Sequence, residues 1–225
     1  MSDSFNEGVR MSRIVVFGGS GYAGQHIVAE AVKRGHEVTS VTRSEPATPV
    51  VGAQHVTGSI YDAELLAQLS LDADVFLSSV PSHSGGQQLP SALPHLVEIC
   101  IKHGVRFGVI GGAGSLLVEE GGLELRVAFA DVLPAESMPE INTHAELLQD
   151  LRDTPSEFDW FFLSPALAFG AHVPGEHLHV YRIGGDVMLK DAEGNSAISG
   201  TDFADAVLDE LEHHTHRRAR FSVAY

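Results

Sequence analysis

Between Phe17 and Gly24 the chain reads FGGSGYAG. Gly18, Gly21 and Gly24 recur at every third position. The run follows a short β-branched stretch and opens a helix-like pattern. A turn of this kind uses residues without a Cβ so that the backbone can reverse tightly and approach a pyrophosphate. The N–H groups that begin the helix, aided by its dipole, then hold the anion. Gly18, Gly19, Ser20, Gly21, Tyr22, Ala23 and Gly24 are therefore the candidate phosphate-binding residues. The competing reading is an ordinary strand-to-helix turn with no ligand.

About 20 residues further on, a site for NAD carries an acidic residue that binds the ribose diol. No acid occurs at residues 39–44. Arg43 stands there instead, beside Thr42 and Ser44. A guanidinium suits a phosphate through its planar fork of donors. NADP(H) is thus expected in preference to NAD(H), with Arg43 and Ser44 at the 2′-phosphate. Otherwise Arg43 is a solvated surface residue.

These groups need a scaffold. Arg13–Phe17, Glu37–Thr42, Val75–Val80, Arg106–Ile110 and Asp159–Leu163 read as short apolar strands. Helical patterns cover Tyr22–Arg34, with Gly35 as terminator, and Leu93–His103. Strands alternating with helices predict an α/β fold, a Rossmann-type doubly wound parallel sheet. In the last third, Val187–Lys190 and Ala197–Ser199 flank DAEGNS and predict a hairpin. Asp202–Leu211 predicts a helix with Thr201 or Asp202 at its N-cap, and Phe221–Tyr225 a final strand. Residues 1–11 are expected to be a flexible leader, and 12–225 a single domain in which 165–200 form a small substrate-side lobe.

The 225 residues include 14 Lys and Arg against 30 Asp and Glu, a formal net charge of -16. That balance argues against nucleic acid and anionic membrane as partners. One cysteine, Cys100, excludes an intrachain disulfide and a cysteine-based zinc site, and suits a cytoplasmic setting. No apolar run is long enough to cross a bilayer.

The blocks GGSGYAG, VIGGAGSL (109–116), DWFFLSPALAFG (159–170), YRIGGDVMLKDAEGNSAISGTDFADAVLDELE (181–212) and RFSVAY occur in that order. In this the chain resembles the atypical short-chain dehydrogenase/reductases of the NADH-flavin reductase group, similar to biliverdin reductase B and more distantly to NmrA-like regulators. The resemblance implies an NAD(P)-binding Rossmann fold whose strand ends converge on the nicotinamide. It implies cofactor contacts at Ser79, Val80, Pro81, Gly111, Gly112, Pro165 and Ala166. The backbone after Pro165 would hold the carboxamide, and Ser115 would either bind a substrate or cap a turn.

Ordinary short-chain dehydrogenases use Tyr-x-x-x-Lys as their acid couple. Tyr22, Tyr61, Tyr181 and Tyr225 have no lysine four residues later. The matching region, MPEINTHAELL, offers His144, an imidazole able to donate a proton near neutrality, or else a helix-packing histidine behind an Asn142 cap. A reaction needing little acid catalysis is therefore expected: hydride transfer to a small planar acceptor such as a flavin or quinone, which takes its proton readily from solvent. Phe169 is the expected wall for such an acceptor. The alternative is a non-catalytic NADP(H)-binding redox sensor, and a sugar-nucleotide epimerase is a weaker third reading. No metal is expected, although His177 and His179 alternate in HLHVY and His213, His214 and His216 cluster near the end. A monomer and a homodimer are both open.

Overall fold

Strand β1 (Arg13–Phe17) leads through the glycine turn into α1 (Tyr22–Lys33) and returns as β2 (Glu37–Thr42). Then come β3 (Gln54–Thr57), α2 (Ala63–Leu69) and β4 (Val75–Ser78). A two-residue pair, β5 (His83–Ser84) and β6 (Gln87–Gln88), precedes α3 (Leu93–His103) and β7 (Arg106–Ile110). The chain continues with α4 (Leu125–Ala128), α5 (Met138–Arg152), β8 (Trp160–Ser164), β9 (Arg182–Gly184), α6 (Gly200–His213) and β10 (Ala219–Ala224). The structure, a computed structural model, describes residues 11–84 and 86–225. The leader expected at 1–11 lies outside them except for Met11.

Among the described residues the main sheet has the order β3-β2-β1-β4-β7-β8-β10-β9. All neighbours are parallel except β10 and β9. The reversal of order at β1 and β4 is the switch point at which such sheets bind ligands, beyond the carboxyl ends of their strands. This is a Rossmann-type α/β fold.

Alternation along the strands divides the core in two. Ile14, Val16, Leu77, Phe161, Leu163 and Phe221 pack under α1 and α6. Val15, Phe17, Phe76, Phe107, Trp160 and Phe162 pack under α2, α3 and α5. Period-two alternation sends successive side chains to opposite faces, so Trp160 and Phe162 face away from Phe161. Arg34 joins α1 to α6, meeting Glu30, Asp205, Asp209 and Glu212.

Three sequence readings need correction. The hairpin does not form: Val187 bridges to Leu117 and Ala197 to Ala168, so each flank pairs with a distant strip. The cap of α6 is Ser199, whose Oγ accepts from the Asp202 N–H. Asn142 lies inside α5, where its side chain accepts from Arg126 Nη1 at 3.0 Å. No helix of the described residues is long and apolar enough to cross a membrane.

Candidate functional site

The glycine turn is built by close approach of backbone to backbone. Gly18 has φ +85°, and a Cβ added there would sit 2.4 Å from the Ser79 carbonyl oxygen. A Cβ on Gly24 would sit 2.1 Å from the Gly18 carbonyl oxygen. Hydrogen bonds from Gly18 N to Val41 O (2.9 Å) and from Ser79 N to Phe17 O (2.8 Å) tie the turn to β2 and β4. Gly21 is the N-cap of α1. Among the described residues no side chain caps that helix, and its first turn holds no acidic residue. The open N–H groups thus face outward in a protein whose net charge would otherwise repel an anion.

A cavity of about 220 Å³ lies in front of this turn. Gly18, Ser20 and Gly21 form its floor, with Val41, Thr42 and Arg43 on one side and Ser79, Val80 and Pro81 on the other. Arg43 is exposed and, among the described residues, joins no ion pair. Thr42 Oγ1 donates to Ser44 O at 2.7 Å and turns the chain away after Arg43. The Ser44 side chain is exposed and does not line the cavity.

Four further lining residues, Gly58, Ser59, Ile60 and Tyr61, escaped the sequence reading. They follow β3, a four-residue strand whose only signal is the weak alternation in QHVT. The Tyr61 hydroxyl reaches Gln87 O at 3.5 Å. Burial raises its pKa, Glu140 adds to that, and Arg43 opposes it.

The remaining candidates divide. Tyr22 is turned from the cavity: its hydroxyl donates to Pro174 O at 3.3 Å and accepts from Gly200 N at 3.1 Å, so it anchors α6. Ala23 packs against the core beneath α1, and Gly19 borders a neighbouring recess with Ser20. Gly111, at the end of β7, lies against the Phe162 ring, where a Cβ would meet it at 2.0 Å. Gly112 faces His144, whose Nδ1 would be 3.4 Å from an added Cβ. His144 is half-buried, 3.6 Å from Glu140 and edge-on to Phe162.

Pro165 and Ala166 are buried at the end of β8. Leu167 N and Ala168 N donate to Ser196, at 3.2 and 2.8 Å. These two donors after Pro165 are therefore already engaged. Ser115 is buried and within 3.4 Å of Arg220 Nη1. It borders a separate cavity of about 390 Å³ with Glu124, Arg126 and Asp186, away from the glycine turn. Phe169 packs on Phe203, centroids 4.4 Å apart, and on Tyr22. It belongs to the α1–α6 core rather than to an acceptor wall.

Fold, turn and cavity together define a nucleotide-binding Rossmann protein. Residues 18–214 match the NAD(P)H-binding family, and the chain belongs to it. It is 36% identical over 214 residues to YwnB of Bacillus subtilis (strain 168), an uncharacterized protein, spanning 94% of this chain and 97% of that one. Two solved structures are similar at 31% identity. One is a Bacteroides thetaiotaomicron protein provisionally named an epimerase (TM-score 0.83, 96% and 98% of the two chains). The other is a Streptococcus pneumoniae TIGR4 protein provisionally named an NADH-flavin reductase (TM-score 0.77, 95% and 99%). They agree with the atypical short-chain dehydrogenase/reductase resemblance carried by the motifs.

Proposed function

We propose that this protein is an NADPH-dependent reductase that delivers hydride to a small planar acceptor such as a flavin or quinone in the cytoplasm. The observation that carries the reading is the pairing of a glycine-lined α1 N-terminus without a side-chain cap with Arg43, which follows β2, lines the same cavity and joins no ion pair among the described residues. The name of the pneumococcal relative supports the acceptor class.

Reduced nicotinamide supplies the hydride when bound. The chain's own residues bind and orient it. The N–H groups of Ser20, Tyr22 and Ala23 would meet the pyrophosphate, and Arg43 the 2′-phosphate. Gly58–Tyr61 would border the adenosine. Val80, Pro81, Gly111 and Gly112 would frame the path toward the nicotinamide, with Ala166 offering backbone to the carboxamide. His144, beside Gly112, would be the side chain that holds a proton there. Ser115, engaged by Arg220, would take part only if substrate displaced that contact. Positioning two reactants and excluding water supplies much of the rate in hydride transfer.

The test is anaerobic mixing of the protein with NADPH and FMN, riboflavin or a benzoquinone, followed by loss of the reduced-nicotinamide absorbance. Oxidation above the protein-free rate is expected for at least one acceptor. A rate no greater than the blank across all of them would overturn the reductase reading. The missing Tyr-x-x-x-Lys favours one rival, a sensor without turnover. That rival requires different affinities for NADPH and NADP+.

A further inference from the structure

Away from the glycine turn, the loop that follows β8 brings two imidazoles against α6. His179 has φ +57°. The left-handed kink folds its ring onto that of His177, with centroids 3.7 Å apart. His177 Nε2 lies 2.7 Å from Asp205 Oδ2, a partner 28 residues away on α6. Ligand atoms of His177, His179 and Asp205 all fall within 4.8 Å of one another.

The surroundings orient this group. Arg34 Nη2 holds the other Asp205 oxygen at 3.4 Å, which leaves Oδ2 directed at the histidines. Asp202 is fully buried. Its Oδ2 accepts from Leu178 N at 2.9 Å, from Tyr225 Oη at 2.6 Å and from Ser199 Oγ at 2.8 Å. Among the described residues its Oδ1 is buried with no hydrogen bond of ordinary geometry and lies 3.8 Å from His177 Nε2, although the His179 N–H also stabilises the carboxylate. A carboxylate oxygen buried without a donor is costly. A cation between the imidazoles and α6 would satisfy it.

We propose that His177, His179 and Asp205, with Asp202 at their inner edge, bind a divalent first-row transition ion of the Zn(II) type that fastens the loop before β9 to α6. Two imidazoles and a carboxylate suit Zn(II) and its neighbours, whereas Ca(II) and Mg(II) take oxygen donors. Tetrahedral bonds of about 2.0–2.1 Å put neighbouring ligand atoms about 3.4 Å apart. Closing the group therefore asks for a shift of about 1 Å, in a segment without helix or strand at either histidine. The exposed His179 gives the ion a route from solvent. The pattern is hard to see in sequence because the third ligand comes from a distant helix rather than from a compact motif.

The experiment uses the untagged full-length chain, stripped with a chelator and titrated with Zn(II) by calorimetry and with Co(II) by visible absorption. One ion per chain is expected, with the intense d–d bands of low-coordinate Co(II) and a higher Tm in Zn(II). His179→Ala should weaken binding by at least ~10-fold, the lower bound for loss of even a supporting group. It should also abolish the Tm rise. His179 is exposed, so this variant should fold, and unchanged circular dichroism checks that it does. A His213→Ala/His214→Ala variant should bind as the parent does. The proposal is overturned if the parent binds no ion, or if affinity is unchanged in His179→Ala, or if the His213/His214 variant is the one that loses the ion.

Discussion

The Ser79 carbonyl oxygen occupies the space where a side chain on Gly18 would begin, 2.4 Å from an ideal Cβ. The end of β4 therefore holds the phosphate turn shut, and only glycine lets the two backbones meet. Gly18→Ala adds that overlap to the cost of a left-handed alanine, ~1–2 kcal/mol. The expected result is a lowered Tm and NADPH binding weakened at least ~10-fold, a loss of ~1.4 kcal/mol. Gly35→Ala is the control. Its φ is also positive, at +86°, but nothing lies within 4 Å of an added Cβ. It should lower Tm modestly and leave binding unchanged. Equal effects on binding from both variants would remove the turn from the cofactor site.

Arg43 lines the cavity without an ion pair among the described residues. A charge-assisted hydrogen bond is worth ~1.5–3 kcal/mol. Arg43→Ala should therefore weaken NADPH by ~10–100-fold and leave NADH nearly unchanged. Fluorescence titration with both nucleotides checks this. Equal weakening of the two would show that Arg43 does not read the 2′-phosphate.

Much of this site could be read along the chain because its determinants are local. The glycine spacing, the strand before it and the absence of an acid at residues 39–44 all lie within about 30 residues of Arg13. What stayed hidden depends on distant partners. β3 has two half-buried and two exposed residues, so its alternation is faint and the lining residues Gly58–Tyr61 went unread. DAEGNS does turn, with Asp191 N bonded to Asn195 O at 2.8 Å. Its flanks nevertheless pair with Leu117 and Ala168, which turn chemistry alone cannot foresee. Phe169 illustrates the same limit, since only the position of Phe203 decides that it packs inward.

Cys100 sits on the buried face of α3 at 2% exposure. Burial pushes its thiol up to about 12. The thiolate is the reactive form, so the native protein should react with an aromatic disulfide reagent only as fast as it opens. Full reaction is expected in urea. The raised value also has a sign for stability. Below the ordinary thiol value of 9.0 both folded and unfolded chains keep the proton. Between there and about 12 the unfolded chain loses it first, so stability falls as pH rises. Cys100→Ala should make that alkaline fall shallower in urea titrations at pH 8 and 10. Rapid native labelling at pH 8 would contradict the burial.

Arg106 and Glu210 form a buried ion pair at the amino end of β7, the opposite end of the sheet from the glycine turn. Both are 4% exposed. Arg106 also bonds the carbonyls of Glu210 and His216 and lies 4.7 Å over the Phe161 ring. Glu210 Oε2 meets His216 Nδ1 at 2.7 Å. Glu210→Ala would leave the buried guanidinium with only the more distant, partly exposed Asp159, 3.8 Å from its Nε, and should cost up to the ~3–5 kcal/mol of a broken buried pair. Replacing both partners, as Arg106→Met with Glu210→Leu, removes the stranded charge and should cost less than the single change. Urea unfolding measures both, with an unchanged m-value as the sign that only stability moved. Because the pair lies far from Gly18 and Arg43, NADPH affinity of the folded single variant should match the parent. A matching loss of affinity would mean that the two ends of the sheet are coupled. A double variant less stable than the single one would mean that the pair, rather than the burial of its charge, holds α6 to the sheet.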